Sequence, residues 1–438
     1  VKADLDTYDI RDDKTVQGLY GDLGNVAILE GRWQDYLDYL AKRRELESKE
    51  ANRLTMGLFG ESLAQTMIAG QGDEAAALKA QLAQRLNALP YETVQDNIKA
   101  SKGSSEFVTE ALVLGDLESS LQPVLDNTGG EISYDIASSL VSVAFTFDHY
   151  IPNRAVVTEV YGAYLDKHAV EKEDLWEARK VALAQDVEAT PVVISVWDSG
   201  VDAEIPAIKA QAWNNGDEIP DNGIDDDKNG FVDDVHGFAY DLDANKVAEI
   251  LQPIEARYGV KPAEWQVHAK GLSDLTSNID SPEAAELRKF MARLPQEDVQ
   301  EFLESLNLYF GYSHGTHVSG IALEDNPFAQ LLVARMTYNH TQVPREPTID
   351  QAKRDAAMFR AAGKYFRDNG VRVVNMSWGG SLRGIEAGLE AHNVGETPEA
   401  RRALAREIYD IGSAGLRDAI GGSPDILFIT SAGNADND

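Results

Sequence analysis

The chain has 438 residues, 43% of them hydrophobic, enough for more than one sizeable core and long for a single compact unit. Acidic residues outnumber basic ones 73 to 40, and the formal charge of −33 repels phosphate backbones and anionic bilayers while favouring cations. The absence of cysteine excludes disulfides, zinc–thiolate sites and thiol nucleophiles, and no apolar run approaches the roughly 20 residues needed to span a membrane.

The chain opens Val1-Lys2, with neither an initiator Met nor a signal-peptide pattern, so its natural start is expected upstream. Residues 1–188 read as a mainly helical domain. Trp33, Leu37 and Leu40 share one helical face, as do Leu78, Leu82, Leu86 and Leu89, after which Pro90 stops the helix. Breaks are expected at Gly103 to Ser105 and at Gly129-Gly130. A charged helix over roughly Lys172 to Gln185 leads into the next region.

From Pro191 the texture changes. P-V-V-I-S-V-W is a continuous apolar run of the kind found in a strand buried on both faces. Similar runs follow at Leu331 to Met336, Val371 to Met376 and Asp425 to Thr430, with helical stretches at about Asp350 to Arg367 and Pro398 to Ile420 between the last three. This alternation predicts an α/β fold: a parallel sheet with right-handed crossovers and helices on its faces. Charged helical sequence from about 245 to 310 reads as an insertion on the sheet's rim. Ser281-Pro282 supplies a cap and first turn, and Leu287, Phe290, Met291 and Leu294 follow at helical spacing.

Reactive groups in such a sheet gather beyond the carboxyl ends of the strands. That rule selects Asp198-Ser199-Gly200, Ser377-Trp378-Gly379-Gly380 and Ser431-Ala432-Gly433-Asn434, together with His314, which is expected to open the helix after Gly311. A carboxylate can orient an imidazole, the imidazole can take a hydroxyl proton, and an amide can donate to a developing oxyanion. His314 and His317 also raise a metal reading. A helical zinc-peptidase pair carries H-E-x-x-H spacing, whereas here the histidines are three apart with only Gly and Thr between them, so this reading is the weaker one.

The stretches D-S-G-V-D, S-H-G-T-H-V-S-G, V-V-N-M-S-W-G-G and I-T-S-A-G-N resemble, in order, the motifs of subtilisin-like serine peptidases, over about Pro191 to Asp438. The resemblance implies a subtilisin-like parallel sheet over residues 189–438. It makes Asp198 the triad acid, His314 the general base and Asn434 the oxyanion-hole side chain, with His317 structural. Ser377, Trp378 and Gly379 resemble the edge whose backbone pairs with an extended substrate, Trp378 hinting at a pocket contact. A secreted or periplasmic location fits the family and the acidic charge.

Between the acid and base motifs lies D-N-G-I-D-D-D-K-N-G-F-V-D-D, Asp221 to Asp234. Asp225, Asp227 and Asn229, then Gly230, follow the start of a calcium loop, with Asp233 as a further ligand. His236 stands where an EF-hand has Glu, so the match is partial. Structural Ca²⁺ is expected, and the resemblance supports it because many subtilisin-like peptidases bind calcium.

The family's nucleophile lies in a Gly-Thr-Ser-x-Ala motif beyond the oxyanion asparagine, and nothing between His314 and Asp438 supplies it. Gly60 to Gly70, G-E-S-L-A-Q-T-M-I-A-G, has its outline around Ser62, but the charged helical flank before it assigns Ser62 to the helical domain. The expectation is a serine endopeptidase whose Ser lies outside this chain, on a C-terminal companion fragment. The protease domain is then incomplete at its C-terminus, and the N-terminal region is a prodomain or an accessory domain. The alternative is a catalytically inactive subtilisin-like peptide-binding protein. Peptides or proteins are the expected partners in either case; nucleic acid and a membrane span are not.

Overall fold

A computed structural model of the chain describes residues 1–70, 72–169, 179, 182–184, 186–254 and 261–433. Backbone contacts divide it into two units. One comprises Val1–Glu118, Glu131–Glu173 and Gln266–Val299, and the other Ser119–Gly130, Asp174–Trp265 and Gln300–Asp438. Beside the sequence-based division at 188/189, Gln266–Val299, read as a rim insertion on the sheet, clusters with the N-terminal helices, and Ser119–Gly130 clusters with the second unit. The charged helix expected over roughly 172–185 lies mostly outside the described residues.

The first unit is helical because its apolar residues recur at helical spacing and its helix starts are capped. Asp12 and Asp73 accept hydrogen bonds from Thr15 N and Ala76 N at 2.8 and 3.1 Å. Leu78, Leu82 and Leu86, one stripe of the helix Glu74–Asn87, are fully buried against Val94, Ile98, Tyr161 and Tyr164. The helix Tyr91–Phe107 runs through Gly103 to Ser105, where the sequence predicted a break. The glycine serves close approach instead: a Cβ on Gly103 would stand 2.3 Å from the Leu275 carbonyl oxygen. Ser62 is fully buried in the helix Leu58–Ala69, its hydroxyl donating to the Leu58 carbonyl at 2.7 Å.

The second unit is built on a six-stranded sheet. In chain order the strands are β1 (Val192–Asp198), β2 (Gly237–Tyr240), β3 (Lys246–Val247), β4 (Ala329–Arg335), β5 (Val371–Met376) and β6 (Leu427–Thr430). Their order across the sheet is β3-β2-β4-β1-β5-β6. All pairs are parallel except the short β2–β3 hairpin at one edge. The sequence marked β1, β4, β5 and β6; β2 and β3 are too short to stand out by periodicity.

Alternation along the central strands divides the core. Leu332 and Ala334 face one way, into a cluster with Trp197, Phe238, Met358 and Phe366 beneath the helices Ile349–Asp368 and Pro398–Gly421. Leu331 and Val333 face the other way with Val196, against Val318 and Leu323. Those two residues belong to the helix Val299–Leu323, which carries His314. Helices thus cover both faces, as expected for the α/β fold. This helix begins well before His314, not at it. Gly311 costs a helix interior only about 1 kcal/mol, and the buried Phe302 and Leu306 hold the preceding turns.

Candidate active site

The site begins where β1 ends. β1 pairs with β4 as far as Asp198 opposite Arg335, and the Asp198 carbonyl accepts from Met336 N at 2.7 Å. This fixes the backbone from which the Asp198 carboxylate projects. The side chain lies on the same face as Val196 and Ile194, two and four residues back, towards the His314 helix.

Three contacts bring that helix to the strand end. Gly315 packs so closely that a Cβ would stand 2.3 Å from the Gly200 carbonyl oxygen. The Ser199 hydroxyl accepts from Gly315 N at 3.1 Å, and the Thr316 hydroxyl accepts from Asp202 N at 2.9 Å. The small and hydroxyl residues of D-S-G and S-H-G-T are therefore the joint itself.

Within this joint, His314 Nδ1 lies 2.7 Å from Asp198 Oδ1, which also accepts from Ser199 N at 2.7 Å. A carboxylate only accepts, so the ring proton sits on Nδ1 and the lone pair is left on Nε2. Asp198 is 2% exposed, and its Oδ2 is buried with no hydrogen-bond partner. The His314 ring is about half exposed. Its pKa is raised above the ordinary histidine value by the hydrogen bond to Asp198, with partial burial opposing. Held this way, the imidazole can accept a proton on Nε2 while the buried carboxylate stabilises the charge that forms. Among the described residues, no hydroxyl is hydrogen-bonded to Nε2. His317, one turn on, is exposed and does not touch Asp198.

At the end of β5, the chain leaves the sheet as Ser377-Trp378-Gly379. The Ser377 hydroxyl donates to Asn375 Oδ1 at 3.0 Å. Among the described residues, the backbone N–H and C=O groups of Ser377, Trp378 and Gly379 make no hydrogen bonds. Asn434 lies outside the described residues.

The acidic loop is folded by its own carboxylates. Asp225 accepts from Asn229 N (3.0 Å) and Gly230 N (2.8 Å), and Asp233 accepts from Asn222 N and Gly223 N, both at 3.0 Å. Asn229 donates its amide to Asp227 and Asp234, both at 2.8 Å. The carboxylates that come together as a group able to hold a metal are Glu218, Asp227 and Asp234, with one oxygen of each within 4.8 Å of the others; Asp227 is one of the four expected ligands. Asp225, Asn229 and Asp233 take part in the hydrogen bonds that shape the loop.

Glu218 and Asp234 were missed because neither falls on the register set by Asp225. Glu218 enters from the turn that follows Asn215. Glu218 and Asp234 are nine-tenths buried or more. Glu218 Oε1 accepts from Asp226 N and Asp227 N at 2.9 and 3.1 Å, while Oε2 is buried without a partner. Burial raises the pKa of Glu218, and the nearby Asp234 and Asp227 charges add to the rise. Asp234 is tied to the core by the Tyr365 hydroxyl at 2.6 Å. An unpartnered oxygen among three close carboxylates fits a hard cation bound through oxygen.

An aspartate–histidine pair thus stands at the carboxyl edge of a parallel sheet, an arrangement that can serve acid–base chemistry. The chain belongs to the subtilase family: the family model for peptidase S8 matches residues 189–438, more than half of it. Among curated proteins, none matches the chain. Membership gives a serine peptidase at the level of the family, and among the described residues no helix is long and apolar enough to cross a membrane.

Three outcomes test this geometry. Gly315→Ala forces the helix off Gly200 and is expected to cost about 2–4 kcal/mol in denaturant unfolding, returning His314 to an ordinary pKa. In an NMR titration, His314 should titrate above 6.5, and Asp198→Asn should lower it. The sign follows from linkage: the pair stabilises the fold below the unfolded histidine pKa and loses that contribution as pH rises through the raised folded value. For Glu218 the raised pKa means stability falls as pH rises from the ordinary carboxylate range through the folded value. Glu218→Gln should therefore stabilise the metal-free protein at neutral pH and abolish any rise in melting temperature with Ca²⁺; a preserved calcium increment would remove Glu218 from the site.

Proposed function

We propose that the chain is the acid–base portion of a subtilisin-type serine endopeptidase. The observation that carries this reading is the 2.7 Å bond from His314 Nδ1 to the buried Asp198, which leaves Nε2 free to act. In this mechanism an extended peptide pairs with the backbone of Ser377 to Gly379, and its scissile carbonyl is attacked by a serine hydroxyl. His314 accepts the serine proton as the C–O bond forms, then delivers it to the leaving amine as the C–N bond breaks. Asp198 holds the ring and stabilises the imidazolium, and Asn434 donates to the oxyanion. Water then hydrolyses the acyl-enzyme by the same proton transfers.

The serine is supplied from outside these residues, on a C-terminal companion segment. A surface beside His314 supports this. Phe310, His314, His317 and Ile321 fall on one exposed stripe of the helix, Phe310 being 41% and Ile321 61% exposed. Leu427 and Ile429 of β6 are also exposed, and by register they share the sheet face on which this helix packs. Apolar surface of this kind marks an interaction site.

The proposed structural cation is calcium, held by Glu218, Asp227 and Asp234, where it would neutralise three close carboxylates and brace the loop between the acid and base motifs. A secreted or periplasmic location accords with the family and with the acidic charge.

Denaturing intact-mass measurement of an active preparation should reveal a second species carrying Gly-Thr-Ser-x-Ala, and His314→Ala should abolish peptide hydrolysis. Undiminished hydrolysis by that variant would remove the triad assignment.

A further inference from the structure

The peptide-pairing edge proposed above makes few contacts of its own, which raises the question of what holds it in place. β1 and β5 pair through Val196 opposite Asn375 and no further. The next carbonyl on β1, that of Trp197, therefore has no ladder partner on β5. It accepts a hydrogen bond from the indole Nε1 of Trp378 at 2.7 Å. The ring is clamped as well: Phe359 stacks on it at 5.7 Å and 21°, and the Trp197 ring meets it edge-on at 5.2 Å and 74°.

Trp378 is thus turned inward, onto the aromatic cluster beneath the sheet, and away from the pocket-wall role that its position in the motif hinted at. Its bond has a particular address. The Trp197 carbonyl belongs to the peptide unit that leads into Asp198, so one side chain links the middle residue of the substrate edge to the backbone of the catalytic acid. The flanking Ser377 and Gly379 have no backbone hydrogen bonds among the described residues, so this indole is the main tether of the edge.

We propose that Trp378 is a positioning residue: its indole N–H bond to the Trp197 carbonyl sets the peptide-pairing backbone at a fixed distance and angle from Asp198. This rests on the peptide-binding reading of the edge. A side chain that lined a pocket would discriminate among substrate side chains. One that positions the backbone acts equally on every extended peptide, because every peptide offers the same N–H and C=O groups.

Binding separates these roles and needs no nucleophile. The full chain and Trp378→Phe are titrated, by fluorescence anisotropy, with two labelled peptides of equal length, one all alanine and one with a single alanine replaced by phenylalanine. Phenylalanine keeps an aromatic ring against Phe359 and removes the donor, at the cost of some ring volume. The expected result is about 3–10-fold weaker binding of both peptides with their affinity ratio unchanged, the loss of one hydrogen bond.

Unchanged affinity for both peptides, or a changed ratio between them, overturns the positioning role. If the wild-type chain binds neither peptide, the peptide-binding reading itself fails and the positioning role falls with it. Hydrogen exchange of the Trp378 indole proton in the wild-type chain covers the case in which the variant does not fold. Slow exchange is expected of a proton held by a buried carbonyl, and exchange as fast as that of a free indole overturns the proposal.

Discussion

The site depends on how closely a helix can approach the end of a strand. Asp198 and His314 are 116 positions apart in the chain, and their side chains meet only because Gly315 lies on Gly200 without an intervening Cβ. Everything else at the joint follows from that contact. Ser199 and Thr316 use their hydroxyls to satisfy backbone N–H groups that the close packing removes from water. A carboxylate buried as deeply as Asp198 is costly unless it is paired, and the Ser199 N–H and the imidazole supply the partners. The same burial makes the pairing strong enough to raise the histidine pKa even though half the ring meets solvent.

The parallel sheet provides the second constraint. Its strands other than the short β3 present their carboxyl ends on one side, so the β1 acid and the β5 edge are neighbours by topology. Their pairing stops at Asn375, however, and past that point the backbone alone no longer fixes the edge. An aromatic side chain takes over there, adding one hydrogen bond beyond the last backbone pair. The aromatic cluster of Trp197, Phe359 and Trp378 gives this bond a dry, rigid setting.

In the acidic loop, charge is divided between two tasks. Asp225 and Asp233 take the place of backbone acceptors and fold the chain on itself, while Glu218, Asp227 and Asp234 converge from outside and inside the loop. Three close carboxylates repel one another, and burial removes the water that would screen them. The raised pKa of Glu218 reflects burial first and the neighbouring Asp234 and Asp227 charges second.

Much of this was present in the chain before folding. Continuous apolar runs marked β1, β4, β5 and β6, because strands covered on both faces need side chains of one kind throughout. The order of four short motifs named the family and singled out Asp198 and His314. Local pattern failed where a residue's use depends on a distant neighbour. Gly103 reads as a helix break until Leu275 is seen lying against it, and Gly311 reads as a helix start until Phe302 and Leu306 are seen packing the turns before it. Spacing within the loop chose Asp225, Asp227, Asn229 and Asp233 as ligands, and only folding showed that Glu218 and Asp234 come within 4.8 Å of Asp227. Trp378 reads as a pocket wall by its motif, and its inward orientation was decided by the unpaired Trp197 carbonyl. The sequence by itself determined which groups are available and which elements carry them. Tertiary structure alone decided which donors and acceptors meet, because satisfying a buried polar atom is settled by proximity in space rather than by position in the chain.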